Sequence, residues 1–275
     1  MGITRVRLSR IAAAAGIDLV DALLGRSCPG CAGPTPRRRA VCDACDALVP
    51  RSGSVHCILC LRETAARPDA PADPQAPAGA ERICPRHGAA RILLAGPRYA
   101  PPLDRVIHAF KYAGVRELGG WVASLLPEPP ARDEPIWREY ALVPVPLHPA
   151  RRAWRGFDQA RLLAQLAGRA WGIPVLDALT RTRDHPPQAR LPRPERPANV
   201  RDAFRVLPAL TPAVRDRPIL LVDDVATTGS TLLEAAEALE ALNPAWIVAL
   251  SASHGGPDSS AEPSLQAEVA AGRAV

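Results

Sequence analysis

Two adjacent carboxylates, Asp223 and Asp224, follow the apolar run Ile219-Leu-Leu-Val222 and precede Ala226-Thr-Thr-Gly-Ser-Thr231. A run of that length and composition reads as a strand buried on both faces. The small hydroxylated residues and single glycine after it read as a loop entering a helix. Thr231 and Glu234 have capping-box spacing, and Leu232, Leu233, Ala235, Ala236, Leu239 and Leu242 form an apolar stripe. A strand that enters a helix through such a loop offers free backbone N–H groups and the positive end of a dipole, a pocket for an anion. Acids at the strand end suit ribose hydroxyls, directly or through Mg²⁺, which prefers carboxylate and phosphate oxygens. Phosphate and ribose in one pocket imply a phosphoribosyl ligand. For an Asp-Asp pair alone, the alternative is a solvated strand end beside an ordinary N-cap.

Cysteine spacing carries a second chemistry. Cys28-x-x-Cys31 and Cys42-x-x-Cys45 are followed by Cys57-x-x-Cys60 and Cys84-x-x-His87. Two thiolates separated by two residues can face one ion, and four donors complete a tetrahedral shell for Zn²⁺ at about 2.3 Å. Eight ligands suffice for one or two structural zinc ions. Sequential and crossed pairing of the ligand pairs fit the spacing equally. His56 adjoins Cys57 but is expected outside the ligand set. Cysteines spaced as metal ligands rather than as disulfide partners suit a reducing, cytoplasmic setting.

The chain has 275 residues, enough for one α/β domain and a smaller module. Its 31 prolines imply many stiff connectors, and its net charge of +6 is carried almost wholly by arginine, Lys111 being the only lysine. That balance permits phosphate-rich partners without demonstrating them. No apolar run is long enough to span a membrane. Asp18 and Asp21 interrupt the apolar N-terminal stretch, so an amphipathic helix is expected there rather than a signal peptide.

The elements that must position these groups follow in order. Residues 1–25 are expected to hold the amphipathic helix and 26–90 a zinc-binding module. A mobile Pro/Ala-rich loop is expected at 66–80. Residues 91–255 read as alternating strands and helices, and 256–275 as a frayed tail. Strands are expected at Arg91 to Ala95, at Tyr140 to Val143 and from Ala245 to Ala252. Helices are expected over Leu103 to Tyr112, about 115–126, and Gln159 to Trp171 with Leu162, Leu163, Leu166 and Ala170 inward. Lys111 closes its helix, where a cation also complements the dipole. The turn after the proline-rich strand carries His148, Arg151, Arg152 and Arg155. In an open parallel sheet that loop faces the crevice of the two acids, where arginines could fork onto a diphosphate. Residues 181–204 read as a polar excursion, either a lid or a plain exposed loop. Arg37, Arg38 and Arg39 read either as a nucleic-acid contact or as a solvated tip.

In this order, these residues resemble one family. Ile219 to Thr231 resembles the phosphoribosyl diphosphate (PRPP) loop of type I phosphoribosyltransferases. Val-Pro-Val-Pro-Leu-His148 with Arg151-Arg152, Arg155-Gly-Phe-Asp-Gln159, Gln188 and Arg196…Asn199-Val…Ala-Phe204 resemble the ComF-type, or competence protein F, phosphoribosyltransferase-like proteins. The resemblance covers about residues 20–255. It implies an α/β fold of type I, a parallel sheet with helices on both faces, behind a small zinc module. It also implies PRPP with Mg²⁺ at Asp223, Asp224, Ala226, Thr227, Thr228, Gly229, Ser230 and Thr231. Lys111, Arg151, Arg152, Arg155, Gln159, Arg181, Gln188 and Arg196 become candidates for the diphosphate and the neighbouring loops. A link to natural transformation and DNA uptake follows too, with single-stranded DNA or competence-machinery proteins as candidate partners.

Two departures qualify the match. Asp158 stands where the family usually has asparagine. Thr227 stands where purine-salvage enzymes carry an aspartate that serves the base, and threonine does not titrate near neutrality, which argues against purine salvage. No residue presents itself as the catalytic base. The chain is therefore expected to be either a phosphoribosyl-transferring enzyme or a non-catalytic PRPP- or nucleotide-binding adaptor whose zinc module contacts DNA or a partner protein.

Overall fold

The computed structural model describes residues 26–36, 39–66, 82–84, 86–89, 91–128, 139–182 and 203–255. The expected helix over 1–25, most of the 66–80 loop and the 256–275 tail lie outside the described residues. In chain order the strands are β1 (Arg26–Ser27), β2 (Pro34–Thr35), β3 (Ser54–Cys57), β4 (Ala65–Ala66), β5 (Arg82–Cys84), β6 (Gly88–Ala89), β7 (Ile92–Ala95), β8 (Ala141–Pro144), β9 (Leu179–Arg181), β10 (Phe204–Val206), β11 (Pro218–Ala226) and β12 (Trp246–His254). The α-helices are α1 (Asp43–Ala47), α2 (Leu103–Tyr112), α3 (Gly119–Ala123), α4 (Pro149–Arg155), α5 (Gln159–Trp171), α6 (Thr211–Val214) and α7 (Ser230–Glu240).

Five strands form the central sheet in the order β3-β7-β12-β11-β8. The last four run parallel, as expected, while β3 joins one edge antiparallel to β7. That edge strand ends on Cys57, so the cysteine-rich segment contributes to the same sheet as the α/β elements. Alternate side chains divide between two cores, as strand geometry requires. Leu94, Leu142, Leu220, Val222 and Leu250 point to the side of α2 and α5, with Phe110 and Leu163. Leu93, Val143, Ile219, Leu221 and Ala249 point to the side of α7, with Leu232, Ala235 and Leu239. Helices therefore cover both faces, which is why β11 reads as an unbroken apolar run.

Some expectations shift. α5 has its expected bounds, but its buried face is Ala160, Leu163, Ala164, Ala167 and Trp171. Leu162 and Leu166 are only half-buried, and Ala170 is exposed. The two leucines lie instead against α3, where a Cβ at Gly119 would come within 2.8 Å of Leu162 Cδ2. The helix expected at 115–126 is a 3₁₀ turn (Arg116–Leu118) followed by the short α3. Gly119 and Gly120 open α3, and glycine is a poor helix former.

Phe110 is fully buried at the meeting of α2 with the sheet and touches the ring of Phe157 edge-on at 5.3 Å. Phe110→Ala is expected to destabilise the fold by about 3–5 kcal/mol, read as a lowered denaturation midpoint with an unchanged slope.

Candidate functional site

β11 does not stop at Val222. It runs on through both acids to Ala226, correcting the expectation that the strand ends where they begin. Asp224 is only 6% exposed, so it is no solvated strand end. Lys111, from the last turn of α2, places Nζ 2.9 Å from Asp224 Oδ1. Burial disfavours the ammonium, but the Asp224 carboxylate overrides it and holds the Lys111 pKa above its ordinary value. Asp223 is half-buried, and its Oδ1 accepts the Asp224 N–H at 2.8 Å. Burial, and then the neighbouring Asp224 charge, push the Asp223 carboxyl up to about 7, against the opposing pull of Lys111 and Arg181. Lys111 pairs with Asp224, and its charge and that of Arg181 only partly offset the burial of Asp223, which keeps affinity for a further cation or for hydroxyl donors.

Thr227, Thr228 and Gly229 turn the chain from β11 into α7. Gly229, with φ 74, occupies the N-cap, and no side chain caps this helix. The capping box expected between Thr231 and Glu234 does not form, because the helix begins at Ser230 and Thr231 already lies within it. Thr228 Oγ1 and Ser230 Oγ lie 2.8 Å apart, and the Ser230 N–H reaches Thr228 Oγ1 at 3.5 Å. The first-turn amides are therefore free of carboxylate competition, as an anion site needs. Burial pushes the Glu234 carboxyl up to about 7, and its Oε1 has no hydrogen-bond partner among the described residues.

The basic segment after β8 is a helix, α4, rather than the expected plain turn. His148 Nδ1 caps it by accepting the Ala150 N–H at 3.3 Å, and Gly156 closes it at φ 77. Asp158 then caps α5: Oδ1 accepts the Arg161 N–H at 3.1 Å and Oδ2 the Leu147 N–H at 3.0 Å. Both oxygens meet backbone donors. An asparagine could satisfy only one of them, so the departure at Asp158 is accounted for by the loop it ties down.

Gln159 is 1% exposed and accepts Arg155 Nη1 on Oε1 at 3.1 Å. Gln159 Nε2 and Arg155 Nε are buried donors without a partner among the described residues. Arg155 also lies over the Tyr112 ring, with Cζ 4.9 Å from the centroid. The structure thus links Arg155 and Gln159, through Tyr112, to Lys111 and the acids. Arg181, at the end of β9, contributes its charge at Asp223 and Glu234. Arg151 and Arg152 ride on α4, the first half-buried and the second exposed. Gln188, Arg196, Arg37 and Arg38 lie outside the described residues.

One feature escaped the sequence reading. Trp154 is 70% exposed and Tyr112 48%. Their centroids are 5.9 Å apart, and His108 lies 4.7 Å beyond Tyr112. An aromatic row beside Arg155 is invisible in sequence because its members come from two helices. Only their apolar character at an exposed position would have signalled it.

The eight metal-ligand candidates gather into two groups, Cys28, Cys31, Cys42 and Cys45, and Cys57, Cys60, Cys84 and His87. The pairing is therefore sequential. Cys31 Sγ and Cys42 Sγ are 3.6 Å apart, as are Cys60 Sγ and Cys84 Sγ, and Cys84 Sγ is 3.5 Å from His87 Nδ1. Tetrahedral zinc with ligands at about 2.0–2.3 Å requires edges close to these lengths, whereas a disulfide needs about 2.05 Å. Both groups fit zinc. His56 stays out of the set: its Nδ1–H donates to Leu61 O at 2.9 Å, and its ring lies 4.2 Å from that of His254.

The two acids make separable predictions. Between about pH 4 and 7 the folded chain keeps the Asp223 proton that the unfolded chain releases, so stability falls as pH rises through that window. Asp223→Asn should flatten this fall and leave the protein more stable than the parent at pH 8, in thermal melts across pH. Asp224→Asn strips the half-buried Lys111 of its counter-charge and should cost up to about 3 kcal/mol, the lower end for breaking a buried pair.

Comparison with known proteins agrees with this geometry. Residues 160–267 match the phosphoribosyl transferase domain. The DNA utilization protein YhgH of Escherichia coli (strain K12) is 36% identical over 149 residues, 51% of this chain and 62% of its own length. Its counterpart in Salmonella typhimurium is 37% identical over 150 residues, with the same shares. Competence protein F of Haemophilus influenzae is 34% identical over 148 residues, 52% of this chain and 64% of its own. The chain thus spans a little under two thirds of the length of these relatives. Over that stretch it is similar to competence protein F and YhgH, and its phosphoribosyltransferase-like α/β fold is preceded by cysteine clusters that fit a zinc module.

Proposed function

We propose that the crevice at the carboxyl ends of β8 and β11 binds PRPP with Mg²⁺ and transfers its phosphoribosyl group. One observation carries this reading. Two adjacent acids, held by Lys111, stand at the entrance of an uncapped helix N-terminus, near two buried donors, Arg155 Nε and Gln159 Nε2, that lack partners among the described residues. Each group matches one part of the ligand. The 227–231 loop suits the 5′-phosphate, Asp223 and Asp224 the ribose hydroxyls, and Arg155, Gln159 and α4 the diphosphate. Mg²⁺ would neutralise the departing diphosphate and could be held by the acids. Loss of diphosphate leaves positive character at the anomeric carbon, which carboxylates can stabilise. Zinc at the two cysteine-rich groups is structural in this reading, and thiolate ligands suit a reducing, cytoplasmic setting.

A second reading, a nucleic-acid-binding adaptor in DNA uptake, has its own support. The exposed row of His108, Tyr112 and Trp154 beside Arg151, Arg152 and Arg155 is the kind of surface on which unpaired bases stack while arginines meet phosphates. The relatives' names, DNA utilization protein and competence protein, point the same way.

Calorimetry is expected to show PRPP binding that requires Mg²⁺ and strengthens as pH rises through about 7, where Asp223 gives up its proton. Asp223→Asn combined with Asp224→Asn should abolish it. Unchanged affinity in the double variant places the ligand elsewhere. Trp154→Ala should weaken single-stranded oligonucleotide binding by about 1–3 kcal/mol while sparing PRPP. Binding of the parent strand unaffected by that change removes the adaptor surface. Elemental analysis should find about two zinc ions per chain; less than one would rule out the metal module.

A further inference from the structure

The geometry points to the second ligand group, Cys57, Cys60, Cys84 and His87, as the support that holds the 227–231 loop in its binding shape. Metal occupancy at this group and anion affinity at the loop are therefore coupled. The inference rests on the reading of that loop as a phosphate site. The contact is direct. Gly229 sits with φ 74 where a Cβ would fall 1.9 Å from the carbonyl oxygen of Ile58 and 3.5 Å from Leu61 Cδ2. Ile58 is the residue after Cys57 in Cys57-x-x-Cys60, so the pivot of the loop rests on the backbone of the metal knuckle with no side chain between them.

The knuckle depends on its own constraints. Leu61 has φ 54, a left-handed conformation that a leucine keeps only where its surroundings hold it. Its N–H donates to Cys57 O at 2.8 Å, and Ile58 and Leu61 are buried, 3% and 4% exposed, in the same core as Leu232 of α7. A second contact runs through His56, whose ring packs 4.2 Å from His254 at the end of β12. The residue after His254, Gly255, donates its N–H to Ala226 O at 2.8 Å, at the point where the loop departs. The knuckle thus touches the loop at its pivot and braces its root.

The first ligand group has no such reach. Gly30 of its turn lies against Cys45 and Pro102, and Arg105 Nη1 donates to Gly30 O at 3.3 Å. Cys28, Cys42 and Cys45 belong to the core on the α2 side, across the sheet from α7. Two sites of similar chemistry therefore have different dependents. Because binding free energies are reciprocal, a loop ligand must tighten metal at the second group by the factor by which that metal tightens the ligand.

The test uses the full chain. Hydrogen exchange of the Thr227 to Thr231 amides is compared in metal-loaded parent, chelator-stripped parent, Cys84→Ser and His87→Ala, alongside calorimetry with PRPP and Mg²⁺. Loss of metal at the second group should speed loop exchange at least tenfold and weaken PRPP at least tenfold, with both restored when Zn²⁺ is returned to the stripped parent. Chelator competition should show second-group zinc retained more tightly when PRPP is present. Loop exchange unchanged by stripping overturns the coupling. So does loosening of equal size in Cys31→Ser, which opens the first group and would signal only general destabilisation. If the metal-loaded parent binds no PRPP, the phosphate reading fails, and the exchange comparison alone still decides whether the knuckle holds the loop.

Discussion

Two carboxylates side by side in a strand covered on both faces are an expense that needs a cation, and Lys111 is the cation. Its 2.9 Å contact with Asp224 joins the end of α2 to the middle of the sheet. The arrangement explains why the acids can lie within β11 rather than beyond it. It also explains the division of labour between them. Asp224 is satisfied inside the fold, whereas Asp223 is left partly unsatisfied by burial and by its neighbour. A site that keeps one group poorly satisfied trades stability for the capacity to bind, as functional sites commonly do.

The same trade recurs in the loops that face the acids. Among the described residues, Gln159 Nε2 and Arg155 Nε are buried donors with no acceptor, and the first turn of α7 has no capping side chain. A fold selected for stability alone would have closed these with a serine, an aspartate or a rearranged amide. Asp158 shows that the chain can do so where it needs to, since both of its oxygens are matched to backbone donors. The unmatched groups cluster on the side of the phosphoribosyl reading; the matched ones hold the loops around it.

Much of this is legible in the sequence alone. The apolar run before Asp223, the glycine at the helix entrance and the repeated Cys-x-x-Cys spacing each state a local physical requirement, and local requirements survive folding. α2 and α5 have the expected limits for the same reason. What was not legible depends on distant partners. Whether Asp223 and Asp224 are solvated depends on Lys111, more than a hundred positions earlier in the chain. Which face of α5 is buried depends on α3, and the sequence pattern alone made Leu162 and Leu166 look like sheet contacts. The capping box failed because Gly229 moves the helix start by two positions. Sequential metal pairing needed the fold to bring Cys84 and His87 back to Cys57 and Cys60.

β3 has one more consequence. Sheets with an uncovered edge strand present a row of unpaired N–H and C=O groups, a template on which further chains can add. On one side of this sheet, β8 is shielded because Leu142 bonds to Pro174 and Leu176. On the other, β7 is shielded by β3, a four-residue strand whose last residue is the metal ligand Cys57. The thiol cluster is therefore also a guard against self-association. Protein made under metal starvation or thiol oxidation would lose that cover at β7, and chains would be expected to meet edge to edge.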